Sequence, residues 1–144
     1  MALVIDLKPG EKLLVGEAFI TNDSQRTRLH IAGEAPIMRE KDVLQEQEAD
    51  TPCKRVYFLV QCMYVANKPE DYHDRYFETI KEVQKASPSA SFFFLKINEE
   101  IIGGNYYKAL KGAKQLIEHE RELLERTLNP SDSDNADTLA QGEA

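Results

Sequence analysis

Hydrophobic and polar positions alternate with period two through the first forty residues and follow a helical period through most of the rest. In "LVIDL", Leu3, Ile5 and Leu7 share one face. "KLLVG" and "AFIT" are short runs of strand-forming residues, "RTRLHIA" (26–32) alternates cleanly, and "APIMRE" closes the series. "KPGEK" sets Pro9 and Gly10 at the central positions of a type II turn. Gly16 marks a bulge or tight turn, and "NDSQ" (22–25) reads as a polar hairpin loop. The spacing predicts four or five antiparallel strands.

The acidic stretch "KDVLQEQEAD" (41–50) reads as a linker. Thr51 followed by Pro52 is a helix start, with Thr as the cap and Pro at the first helical position. Positions 53, 56, 57, 60, 63 and 64 then form a helical apolar stripe, with Phe58, Leu59 and Val65 on other faces. A helix apolar nearly all round is buried or lies at an interface. The same run is rich in Val and aromatics, so a strand is the competing reading of 53–66. A second helix begins at Pro69 and carries Tyr72, Tyr76, Phe77, Ile80 and Val83. "FFFLKINEEII" is a third, ended by Gly103-Gly104, and Asn105 can cap a fourth. That last helix runs Tyr106, Leu110, Ala113, Ile117 and Leu124 down one face and stops at Asn129-Pro130. The pattern predicts an α+β chain: an antiparallel β-sheet region over 1–48, a bundle of about four α-helices over 51–128 packed on it, and a disordered acidic tail over 129–144.

With 144 residues, 42% of them hydrophobic, the chain can bury a core of its own. The formal charge of -7 argues against non-specific coating of DNA, although charge can be segregated. Removing the four acids of the tail takes it to -3. Cys53 and Cys62 lack a CxxC spacing and read as buried free thiols. No signal peptide or membrane-spanning run is visible, so a cytoplasmic protein is expected.

Catalysis has little support: there is no GxSxG, Walker loop, HExxH or GxGxxG. His30, His73 and His119 fall in three different elements. Asp71, His73 and Asp74 do not share one helix face. Glu118, Glu120, Glu122 and Glu125, mixed with Arg121 and Arg126, read as a solvated face. No metal, cofactor or catalytic residue is expected. Two basic features remain. Arg26, Arg28 and His30 share one strand face, with Arg39 nearby, and Lys108, Lys111 and Lys114 recur at helical spacing. The strand row has no aromatic for base stacking.

Taken together and in order, "LKPGEKLLVGEAFI", "EAPIMREKDVL" and "GGNYYKALKGAKQLIEHE" resemble the FlbT family of bacterial flagellar regulators, over roughly residues 3–127. The resemblance implies post-transcriptional control. Proteins of this family associate with the 5′ untranslated region of flagellin mRNA and alter its translation and degradation. Some members repress and others activate, alongside a small flagellar partner, FlaF. The strand half, "LVIDLKPGEKLLVG" with "RLHIAGEAPIMRE", is also similar to the CsrA family of β-sheet RNA-binding regulators. On that likeness Arg39 and Glu40 fall on the terminal Arg-Glu, whose arginine contacts RNA, and Lys8 on a basic residue of the first strand. Leu7 stands where that family carries an RNA-contacting arginine. That family is a dimer with interleaved strands, which implies a homodimer here.

The expected RNA-binding surface is therefore Arg39, Arg28, Arg26, Lys8 and His30. The alternative is a protein adaptor or chaperone gripping FlaF or flagellin. It would use the "VYFLVQCMYV" helix and the "YYKAL" helix, through Tyr106, Tyr107, Lys108 and Leu110.

Overall fold

The computed structural model describes residues 2–66 and 68–128. Five antiparallel strands come first: β1 (Ala2–Leu7), β2 (Lys12–Val15), β3 (Ala18–Thr21), β4 (Thr27–Ala32) and β5 (Ile37–Arg39). Four helices follow: α1 (Pro52–Val65), α2 (His73–Ala86), α3 (Ser91–Ile102) and α4 (Tyr106–Leu128). The α+β architecture is the one the hydrophobic pattern predicts. The expected disordered tail, 129–144, lies outside the described residues.

The strands divide into two small sheets, one of β1 with β4 and one ordered β3-β2-β5. The Pro9-Gly10 turn forms as its residues dictate. Gly10 has φ +82, and Glu11 donates its backbone N–H to the Lys8 carbonyl at 3.1 Å. "NDSQ" does not close a hairpin, because β3 and β4 pair elsewhere. Asn22 explains the detour. Its backbone exchanges hydrogen bonds with Gly10 and Glu11, and its Nδ2 donates to the carbonyls of Leu7 and Gln25. The chain leaving β3 is thus held against the first turn and is led across to β1.

The run 53–66 is helical. Thr51 accepts the Lys54 N–H at 3.2 Å, and Pro52 opens the helix. A further anion sits at this end. Glu120 of α4 takes the Thr51 hydroxyl at 2.5 Å and the Cys53 N–H at 3.4 Å, where the helix dipole favours negative charge. Glu120 is therefore no part of a merely solvated face. Met38, α1, and the inner faces of α2, α3 and α4 form the main core, around Tyr76, Phe94, Met63, Ile97 and Leu116. A smaller core of Ile5, Leu7 and Leu13 lies within the strands.

The stretch 41–50 is not a free linker. Gln61, buried on α1, accepts the Leu44 N–H and donates to the Leu44 carbonyl, both at 2.8 Å. One turn before it, Tyr57 donates to the Asp42 carbonyl at 2.5 Å. One turn after it, the Tyr64 hydroxyl accepts the Ile37 N–H at 2.9 Å and reaches the Ile37 carbonyl at 3.2 Å. Residues 57, 61 and 64 lie on one helix face. Three polar side chains thus hold the backbone from β5 onward, and each buried polar group finds a partner.

Two predictions arise from this packing. A Cβ on Gly112 of α4 would stand 2.9 Å from Ile97 Cγ1 of α3. Alanine normally gains about 1 kcal/mol over glycine inside a helix, but overpacking costs about 1–3 kcal/mol. Gly112→Ala should therefore lower the thermal midpoint, and a raised midpoint would show that the helices yield. The second concerns alkali. Burial first, then Glu120, pushes the Cys53 thiol from 9.0 up to about 12. Burial likewise raises Tyr57 and Tyr76. The folded state keeps these protons longer than the unfolded chain. Stability from this source is complete below about pH 9 and declines as pH rises toward 12. Urea midpoints between pH 8 and 11 should fall steadily, and a flat profile would contradict the assignment.

Candidate nucleic-acid interface

Alternation along β1 turns Ile5 and Leu7 inward and leaves Asp6 and Lys8 exposed. On β4, Leu29 and Ile31 are half-buried while Arg28 and His30 are exposed. The register sets His30 opposite Val4 and Arg28 opposite Asp6. Lys8 and Arg26 lie one position beyond the Leu7–Thr27 pair, on opposite strands, and both are exposed. The outward face of this ribbon therefore carries Arg28 and His30, and Lys8 and Arg26 are exposed just past its end.

Arg39 arrives from the other sheet. Its Nη1 donates to the Asp6 carbonyl at 3.2 Å, while Arg28 Nε donates to the Asp6 carboxylate at 3.2 Å. Asp6 is thus a common point for two guanidinium groups from separate sheets. Arg28 is partly neutralised by this ion pair. Arg39, Arg26 and Lys8 join no ion pair among the described residues.

Next to this strip, a groove of about 920 Å³ opens between the strands and the helices. Its walls include Ile5, Ile37 and Arg39 on one side and Tyr64, Tyr107 and Lys111 on the other. Lys111 Nζ lies 4.9 Å from the centre of the Tyr107 ring, whose neighbour Tyr64 is 5.7 Å away. Two acids also border the groove, and both are engaged. Asp42 pairs with Lys114 at 2.6 Å, and Glu118 pairs with Arg121, which holds its carboxyl below the usual range.

The residues expected to meet a protein partner are distributed differently. Tyr106 is half-buried, with its hydroxyl 3.3 Å from His73 Nε2. Tyr107 and Lys108 are exposed. Leu110 is 5% exposed and belongs to the core, because the helical period carries it inward with Ala109 and Ala113. Most of the apolar stripe of α1 is likewise taken up by the core, with Tyr64 left half-buried on the groove wall.

Sequence reasoning missed a different apolar surface. On α3, Phe92, Leu95 and Ile102 are 65%, 72% and 80% exposed. Phe94, Ile97 and Ile101 take the buried face of the same helix. The signal was present in "FFFLKINEEII", which is too apolar for a helix with only one face to bury. Among the described residues no group of three His, Cys, Asp or Glu side chains is placed to hold a metal.

Comparison with known proteins adds a family match. Residues 3–124 match the family described as "Flagellar protein FlbT". The chain is 44% identical to "Probable flagellum biosynthesis repressor protein FlbT 1" of Bradyrhizobium diazoefficiens over 124 residues, 85% of each chain. It is 44% identical to "Probable flagellum biosynthesis repressor protein FlbT" of Rhodopseudomonas palustris, covering 88% of this chain and 100% of that one. It is also 32% identical to "Flagellum biosynthesis repressor protein FlbT" of Caulobacter vibrioides, over 86% and 90% of the two chains. No solved structure matches the chain.

The Asp6–Arg28 pair has side chains 50% and 66% exposed, so water screens it. Exposed pairs contribute about 0–1 kcal/mol. Asp6→Asn should therefore change unfolding free energy by less than about 1 kcal/mol in a urea titration. A loss of several kcal/mol would mean that the pair organises the ribbon.

Proposed function

The chain belongs to the FlbT family of flagellar proteins, and on that premise we propose that it regulates flagellum synthesis by direct contact with the 5′ untranslated region of flagellin mRNA. The observation that carries this reading is the meeting of Arg28 and Arg39 at Asp6. His30 shares the exposed ribbon face with Arg28, and Lys8 and Arg26 are exposed just past the end of the ribbon. On a chain of net charge -7, such a strip is where a phosphate backbone meets least repulsion. A protein seated on the leader would block ribosome entry and change the exposure of the messenger to cellular nucleases. Repression fits the printed names of the relatives. The role assigned to the chain is binding, with no catalytic residue.

A second reading, contact with a FlaF-like flagellar protein or with flagellin, is favoured by the uncovered α3 stripe of Phe92, Leu95 and Ile102. The two roles use different surfaces and are compatible. Self-association into a homodimer would also bury such a stripe.

Each phosphate contact on single-stranded nucleic acid contributes about -0.7 to the slope of log affinity against log salt. Binding of flagellin leader RNA, followed by gel shift at two salt concentrations, should weaken steeply with salt. Arg39→Ala should weaken it further with an unchanged melting curve and a shallower slope. Leu95→Glu should leave RNA binding intact while disrupting any complex with the FlaF-like protein. A wild-type chain that shifts RNA only after that protein is added would replace the direct reading by the adaptor one.

A further inference from the structure

We infer that the groove between the strands and α4 is a base-holding subsite for single-stranded RNA, with Tyr107 as its stacking surface and Lys111 and Arg39 as its phosphate contacts. The inference rests on the RNA reading above and gives it a geometry.

A flexible single strand needs cations that follow its backbone, and aromatic faces on which bases stack whatever their identity. The ribbon face supplies cations and has no aromatic in its row. The groove supplies the missing part. Tyr107 is 49% exposed, and its hydroxyl makes no hydrogen bond among the described residues. Tyr57 and Tyr64, by contrast, have their hydroxyls tied to the backbone at Asp42 and Ile37, so they are fixed walls. Lys111 stands over the Tyr107 ring and joins no ion pair among the described residues. A base that stacks on that ring displaces the ammonium, whose flexible stem keeps it within reach of the neighbouring phosphate.

Charge selects the occupant. Of the ionisable groups on the groove wall, Asp42 is matched by Lys114, while Glu118 shares Arg121 with Glu125. The wall itself carries three cations, Arg39, Lys111 and Lys114, against the two acids Asp42 and Glu118, so it is net positive on an acidic molecule. Arg39 also belongs to the cationic strip through its bond to Asp6. The groove and the strip are therefore continuous, and one strand of RNA can pass from one to the other across Arg39. A volume of about 920 Å³ lies within the range of about 300–1,000 Å³ common for small-ligand sites, which suits one or two nucleotides.

The test uses the full chain and two fluorescent probes: a twelve-nucleotide single-stranded RNA and an abasic backbone of the same length. Tyr107→Ala should weaken the RNA probe about tenfold and leave the abasic probe unchanged. Tyr107→Phe should retain wild-type affinity, because the ring face is kept. Lys111→Ala should weaken both probes and flatten the salt slope by about one contact, near 0.7. Circular dichroism melts establish that the variants fold. Unchanged RNA affinity in a folded Tyr107→Ala, or equal losses on both probes, overturns the stacking site and leaves the ribbon strip standing. So does a Tyr107→Ala that binds RNA normally but no longer joins a FlaF-like protein, which would give the groove to a protein segment. Wild-type chain that binds neither probe overturns both this inference and the RNA reading beneath it.

Discussion

Three side chains on one face of α1 decide how the two halves of this molecule meet. Tyr57, Gln61 and Tyr64 bond the main chain at Asp42, Leu44 and Ile37. Without these bonds, the segment between β5 and α1 would be a tether of polar residues. With them, β5 is fixed against the helical body, Met38 enters the main core, and the strand core sits alongside. An unsatisfied buried amide costs about 1–3 kcal/mol, so Gln61 is held to its partners as strongly as they are held to it.

The candidate interface depends on that attachment twice. Arg39 ends the strand that Tyr64 holds, and from there it reaches across to Asp6 of the other sheet. The groove exists because the strands and α4 stand apart on either side of the same fixed segment. Its polarity then comes from pairing. Asp42 on the groove wall is matched by Lys114, Glu118 shares Arg121 with Glu125, and Lys111 joins no ion pair among the described residues. An overall negative protein can in this way present a small positive surface.

Elements governed by short-range chemistry were legible in the sequence. Pro9-Gly10 makes its turn, Thr51-Pro52 starts its helix, and Gly103-Gly104 ends another, with Asn105 donating its N–H to the Glu100 carbonyl. Features set by distant partners were not legible. The pairing of β4 with β1 depends on Asn22 reaching back to Leu7, and nothing in the "NDSQ" composition announces it. Gln61 interrupts an apolar stripe and gives no hint that its partner is the backbone of Leu44. Glu118 and Glu120 are both glutamates on one helix. One is paired at the surface with Arg121, and the other caps α1. Of the expected RNA-contacting residues, the common strand face of Arg28 and His30 followed from alternation alone. Their relation to Arg39 required the arrangement of two sheets.

Because the α1 row grips amide and carbonyl groups, it does not read which residues occupy 37 and 44. Replacement there by another residue of similar bulk leaves every one of those bonds available, and proline alone among the natural amino acids would delete a donor. The junction between the strand and helical halves is therefore tolerant of sequence drift on one side and intolerant on the other, where Tyr57, Gln61 and Tyr64 have no substitute of equal reach.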